Sequence, residues 1–164
     1  MTTENTTTEN ANPSINQTVT NQPDINLLTL LLKNNPSVDW RNANLHDAQS
    51  IATYNRDGLE ADEEALLKLI KAYQRLLRVL PEDVKQAGDI AIQLLKAGFD
   101  SALQIANTAK NIFIQAALEI FGNDRDLAER VYQRAIACRK SLALRYLNLA
   151  QGSEPHARAV GLNK

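Results

Sequence analysis

Leu66, Leu69, Ile70, Tyr73, Leu76, Leu77 and Leu80 recur at helical spacing. Wound at 100° per residue, they fall within about 140° of one another. Such a stripe must be covered by other elements, and the sequence around it supplies more helices and nothing that reads as a strand. Asp57 and Glu60, three residues apart, predict a capping box opening this helix at about residue 58, and Pro81 predicts its end. Upstream, Asp24 predicts an N-cap for a short helix carrying Leu27, Leu28, Leu30, Leu31 and Leu32, stopped by Asn34-Asn35-Pro36. Trp40 is the sole Trp and is expected to anchor the segment 37–57 on the core, with a short helix around 45–54.

Downstream, a helix over about 82–97 places Val84, Ala87, Ala91, Leu94 and Leu95 on one face. Gly88 shares that face, which predicts a close helix–helix approach at about 1 kcal/mol of helix propensity relative to Ala. Gly98-Phe99 predicts a Schellman-type stop, and Asp100 can cap the next short helix, with Leu103, Ile105 and Ala106. Asn107 or Thr108 starts a helix to Phe121 that is apolar nearly all round. It is either central to the domain or buried by a partner. Gly122 stops it, Asn123 or Asp124 restarts the chain, and a long final helix runs to about Ala150. The expected fold is all-α, a bundle of about five to seven helices over residues 25–150.

The ends differ from this body. Residues 1–24 hold seven Thr, five Asn, two Gln and two Pro, only four apolar residues, three acids and no base. That composition cannot offset its ordering entropy by burial, and predicts a disordered, acidic tail. Residues 151–164 are expected to form a loose C-terminal tail. The formal charge of −1 therefore sums an acidic tail and a body of 18 bases against 16 acids. The start lacks the basic stretch and apolar core of a secretory signal, so the expectation is a cytoplasmic product of synthesis, with any export by another route. No apolar run approaches the roughly 18 residues of a membrane span.

Chemistry has little to work with. Asp62-Glu63-Glu64 is the densest carboxylate group, but it sits where acids favour a helix N-terminus. His46 has no second ligand at metal spacing. Cys138, the one cysteine, shares a wheel face with Val131, Leu142 and Leu149 and reads as a small buried hydrophobe. The sequence accordingly predicts no catalytic residues, no metal and no cofactor. Two basic stripes offer an alternative reading as a nucleic-acid-binding helical protein: Lys68, Lys71, Arg75 and Arg78 on one helix, and Arg130, Arg134 and Arg145 on the last. Acids lead and bases follow in both helices, an order that suits helix dipoles, and the body charge is small for gripping many phosphates. Arg139 is the odd residue, central on the apolar face of the last helix. It must snorkel, pair with an acid such as Asp100 or a neighbour of Glu129, or meet another subunit.

One set of stretches goes further. Leu30-Leu31-Leu32-Lys33-Asn34-Asn35-Pro36 and Asp39-Trp40-Arg41 come first. Tyr73-Gln74-Arg75-Leu76-Leu77-Arg78-Val79-Leu80-Pro81 follows, then Ala97-Gly98-Phe99-Asp100-Ser101 and Ile105-Ala106, with Val131-Tyr132 and Arg134-Ala135 near the end. Over residues 27–147 this pattern resembles the N-terminal helical region of the A components of bacterial Tc insecticidal toxin complexes, the family that includes the Salmonella plasmid virulence protein A. The resemblance implies a helical, virulence-associated scaffold segment that self-associates or docks to a larger assembly. This chain is much shorter than that pattern, without a pore-forming helix, translocation channel or receptor-binding β domain. The expected function is a non-enzymatic protein–protein interaction or assembly module, a toxin accessory or homo-oligomeric scaffold. Its expected interface residues are Phe113, Ile114, Leu118, Phe121 and Arg139.

Overall fold

A computed structural model describes residues 24–153. Seven α-helices and one 3₁₀ turn occur there, with no strand among the described residues. The expected N-terminal tail lies outside them except for Asp24, as does most of the expected C-terminal tail.

The chain starts where local chemistry says it should. Asp24 accepts a hydrogen bond from the Asn26 backbone N–H and caps α1, Ile25–Asn34. Asp47 does the same for α2, Ala48–Ala52, through Gln49 and Ser50. The hydrogen bond from the Ser50 hydroxyl, together with these backbone bonds, holds the Asp47 carboxyl below the ordinary carboxylate range. The predicted Asp57–Glu60 box does not form. Glu60 instead accepts from the Gly58 N–H, a 3₁₀ turn covers Glu60–Asp62, and α3 runs over Glu63–Val79. The physical reason is the Asn55-to-Gly58 turn: the Asn55 side chain takes the Asp57 N–H, and Gly58 adopts φ +79°, so regular helix begins later.

After Pro81 the chain turns through Gln86, at φ +62°, before α4, Ala87–Lys96, which is shorter at its start than its periodicity predicts. The close approach at Gly88 is present: a Cβ there would lie 2.7 Å from the Tyr73 hydroxyl oxygen. The Gly98 stop is a complete Schellman motif, with Phe99 N–H bonding Leu94 C=O at 2.9 Å and Gly98 N–H bonding Leu95 C=O at 3.0 Å. Ser101, not Asp100, caps α5, Ala102–Asn107. The Ser101 hydroxyl oxygen accepts from Gln104 N–H while the Gln104 side chain accepts from Asp100 N–H. α6 is also shorter than expected, Lys110–Ala117, and ends in a turn through Gly122 and Asn123, both at positive φ. Asp124 then accepts from the Leu127 N–H and opens α7, Arg125–Ser153.

α3 lies at the centre of the packing, in contact with α1, α4, α5 and α7, while α7 packs along α5 and α6. Leu28, Leu76, Leu80, Leu94, Ile105, Phe113 and Val131 are among the fully enclosed side chains that fill the joint. Polar side chains hold the loops onto this core. Gln74, only 4% exposed on α3, donates from Nε2 to the backbone oxygens of Trp40 at 2.8 Å and Ala43 at 2.7 Å. Asn35, after α1, exchanges hydrogen bonds with the Asn55 backbone in both directions, each at 2.8 Å. Trp40 is buried as expected, its ring centroid 4.8 Å from that of Tyr54.

Candidate interaction surface

Placing the expected interface residues on the fold divides them. Phe113, Ile114 and Phe121 are 0%, 3% and 4% exposed and belong to the domain's own core, and Leu118 is half-buried. The helix that is apolar all round is therefore central to the domain, and Phe113, Ile114 and Phe121 form no outer interface. The reason is geometric: α6 is enclosed by Phe99 on one side and by Tyr132 of α7 on another, with Phe121 folding back from the turn. On α6 itself only Ile112 among the larger apolar side chains is well exposed.

Arg139 has a role other than the three expected from its position. Its guanidinium donates to the Ala106 backbone oxygen at 2.8 Å and to the Asn107 side-chain oxygen at 3.2 Å, at the C-terminus of α5. A cation there meets the negative end of the helix dipole and satisfies a carbonyl the helix leaves without an internal donor. Arg139 thus fastens α7 to α5, with neither Asp100 nor an acid near Glu129 as its partner. Arg139→Leu is expected to lower the stability of the isolated chain by about 1–2 kcal/mol, as charged hydrogen bonds of partly buried groups do. Urea denaturation checks this, and an unchanged or higher midpoint contradicts it.

The basic stripes are largely occupied in the same way. Arg134 donates from Nε to Val79 C=O at 2.6 Å and from its terminal nitrogen to Arg78 C=O, closing the end of α3. Arg78 donates to the Arg41 backbone oxygen, Arg130 pairs with Asp83 at 3.0 Å, and Lys68 pairs with Glu64 one turn away. Arg130 holds the Asp83 carboxyl below its ordinary range. Arg75 and Arg145 are exposed and Lys71 is half-buried. The fold brings Arg75 and Arg78 of one stripe and Arg134 of the other to a single cleft, while Arg145 lies apart from them. Among the described residues no group of three or more His, Cys, Asp or Glu side chains converges. Cys138 is half-buried.

Two surfaces stand out instead. The first is the far half of α7. The stripe that buries Ala128, Val131 and Ala135 continues along the wheel through Leu142, Tyr146 and Leu149, but the domain does not follow it. From Lys140 to Leu149 every residue is exposed, with Leu144 at 61%, Tyr146 at 72% and Leu149 at 74%. Leu144 and Leu147 lie on the other side of the helix, so the projecting half is apolar on two faces. Residues 140–153 extend about 21 Å at helical rise.

The second surface is a groove of about 580 Å³ between α2 and α3. Leu66 and Ile70 of α3, Trp40 and Tyr54, and Ala48, Ile51 and Ala52 of α2 line it. α2 itself buries none of its residues. Glu63 and Glu64 stand at the edge, where Glu63 forms an exposed ion pair with Arg56. Sequence reasoning placed Trp40 in the core but gave no sign of this groove. Its lining comes from separate segments between Leu31 and Ile70, which no periodicity joins.

No protein-family model, curated protein or solved structure matches this chain. Among the described residues, no helix is long and apolar enough to cross a membrane.

Proposed function

We propose that this protein is a non-enzymatic helical assembly module, acting through protein–protein contacts made by the projecting half of α7. The observation that carries this reading is the exposure of Leu142, Leu144, Tyr146, Leu147 and Leu149, of which only Leu142 lines a cleft with α3 and α5 residues among the described residues. Scattered exposed leucines are ordinary, but five large apolar side chains within eight residues of one unsupported helix are not. Each gains about 1.5–3 kcal/mol when fully enclosed, enough together to outweigh a substantial part of the cost of association. An isolated helix of this length is marginal in water, so contact with a partner also stabilises the helix itself. The stretches similar to Tc toxin A components point the same way, towards a helical scaffold segment within a larger assembly.

Light scattering at rising protein concentration, together with a pull-down from a bacterial lysate, tests this reading against a Tyr146→Asp/Leu149→Asp variant. Both positions are exposed, so the variant is expected to keep the helical circular dichroism of the domain. The natural chain is expected to form complexes, with itself or with another protein, that the variant loses. A natural chain that stays monomeric and captures nothing the variant does not also capture overturns the reading.

A further inference from the structure

The projecting helix and the groove are complementary in charge as well as in polarity. Between Arg130 and Ser153, α7 carries five bases and no acid, and two of the bases, Lys140 and Arg145, lie on the exposed half. Two such helix ends laid against each other would bring like charges together along the contact, which is unfavourable. The groove has the opposite character. Its interior is apolar, and Glu63 and Glu64 at its edge belong to the acid-rich run Glu60, Asp62, Glu63 and Glu64. Each glutamate already pairs with a cation, Glu63 with Arg56, which also lines the groove, and Glu64 with Lys68, but these pairs are solvent-exposed and weak enough to exchange with another cation. The apolar side chains on two sides of the helix end call for an enclosing groove more than for one flat neighbour.

We infer that the occupant of the α2–α3 groove is the α7 end of a second copy of this chain. Leu142, Tyr146 and Leu149 enter the apolar trough, and Arg145, beside them on the helical wheel, faces Glu63 and Glu64. The contact is heterologous: each copy offers a helix end to one neighbour and a groove to another. Repetition builds a ring where the rotation closes and an open filament where it does not. This inference rests on the assembly reading above and makes it specific.

The test is complementation between two variants in sedimentation velocity. Ala52→Lys/Glu64→Lys closes the groove and reverses its charge. Ala52 is exposed near the end of α2, where a cation suits the dipole; Glu64→Lys loses an exposed ion pair in the first turn of α3, and unchanged helical circular dichroism checks that the fold is retained. Tyr146→Asp/Leu149→Asp blocks the helix end. The natural chain is expected to form species larger than a dimer, weakening as salt rises. Each variant alone is expected to associate about 100-fold more weakly, as loss of central contacts does. An equimolar mixture restores one competent contact and is expected to give a 1:1 dimer and nothing larger. A natural chain that is strictly monomeric overturns the inference, as does a groove variant that assembles like the natural chain, which points to contact between helix ends. A mixture that stays monomeric overturns it too. If the natural chain is monomeric yet holds a lysate protein that the α7 variant releases, the head-to-tail contact falls while the assembly reading stands.

Discussion

Phe113→Ala is expected to destabilise the chain by about 3–5 kcal/mol, as truncation of an enclosed aromatic residue does. Phe113 is 0% exposed at the middle of α6. Its ring centroid lies 5.2 Å from that of Phe99, 6.3 Å from Phe121 and 5.8 Å from Tyr132. The first two contacts are edge-on, the arrangement in which aromatic pairs add to simple area burial. These rings come from the segment before α5, the turn after α6, and α7. Their close packing leaves little room for collapse around a cavity. The loss is a large part of the 5–15 kcal/mol that holds an ordinary domain together. For a helical domain of roughly this size it corresponds to a fall in Tm of roughly 10–20 °C. Phe113→Leu, which keeps most of the volume, is expected to cost about 1.5 kcal/mol. Scanning calorimetry on the two variants distinguishes a core residue from an interface residue. An Ala variant with unchanged Tm and weakened self-association would restore Phe113 to the surface role its sequence context suggests.

Gln74→Leu is the second large effect, expected at about 2–4 kcal/mol. Removing the Nε2 donor leaves the Trp40 and Ala43 carbonyls without that partner beneath a loop that has little access to water, and an unmade buried hydrogen bond costs about 1–3 kcal/mol. Gln74→Glu is expected to be worse at neutral pH, because a carboxylate would face two carbonyl oxygens at a position only 4% exposed. Burial raises that carboxyl's folded-state pKa above its unfolded value of about 4.3. Its penalty is therefore full above the folded pKa and relieved as pH falls through it towards the unfolded value. Urea titrations at pH 7 and pH 5 check the sign: the Glu variant recovers relative to the Leu variant on acidification. Equal stability of both variants with the natural chain at both pH values contradicts the role given to Gln74. The loop held by Gln74 carries Trp40 and Leu45 of the groove wall, so the same substitutions are expected to loosen the groove.

These two residues also mark how far the sequence could be read. The Asp24 cap, the Leu stripe of α3, the Pro81 break, the Gly88 approach and the Gly98 stop were legible because each depends on residues within a turn or two. Cap assignment failed where neighbours compete. Asp57 and Asp100 are good caps by type, but the Asn55 turn and the Ser101–Gln104 pair take the backbone groups first. Gln74 and Arg139 were opaque for a different reason. Their partners are backbone oxygens 31 to 34 residues away, so no search for opposite charge could find them. The candidate surface was the least legible part. Periodicity says that a face must be covered but not by what, and for α6 and α7 the answers are opposite. α6 is enclosed by its own domain, whereas α7 carries its apolar stripe beyond the domain's edge.

Amide hydrogen exchange along residues 140–149, measured across a range of protein concentrations, addresses the central claim most directly. An uncovered helix end opens locally at little cost, whereas an enclosed one opens only when the contact breaks. The account predicts slow exchange in this segment at high concentration and fast exchange on dilution, with the Tyr146→Asp/Leu149→Asp variant fast throughout. Exchange at one rate across all concentrations, the same in the natural chain and the variant, would contradict self-association through α7.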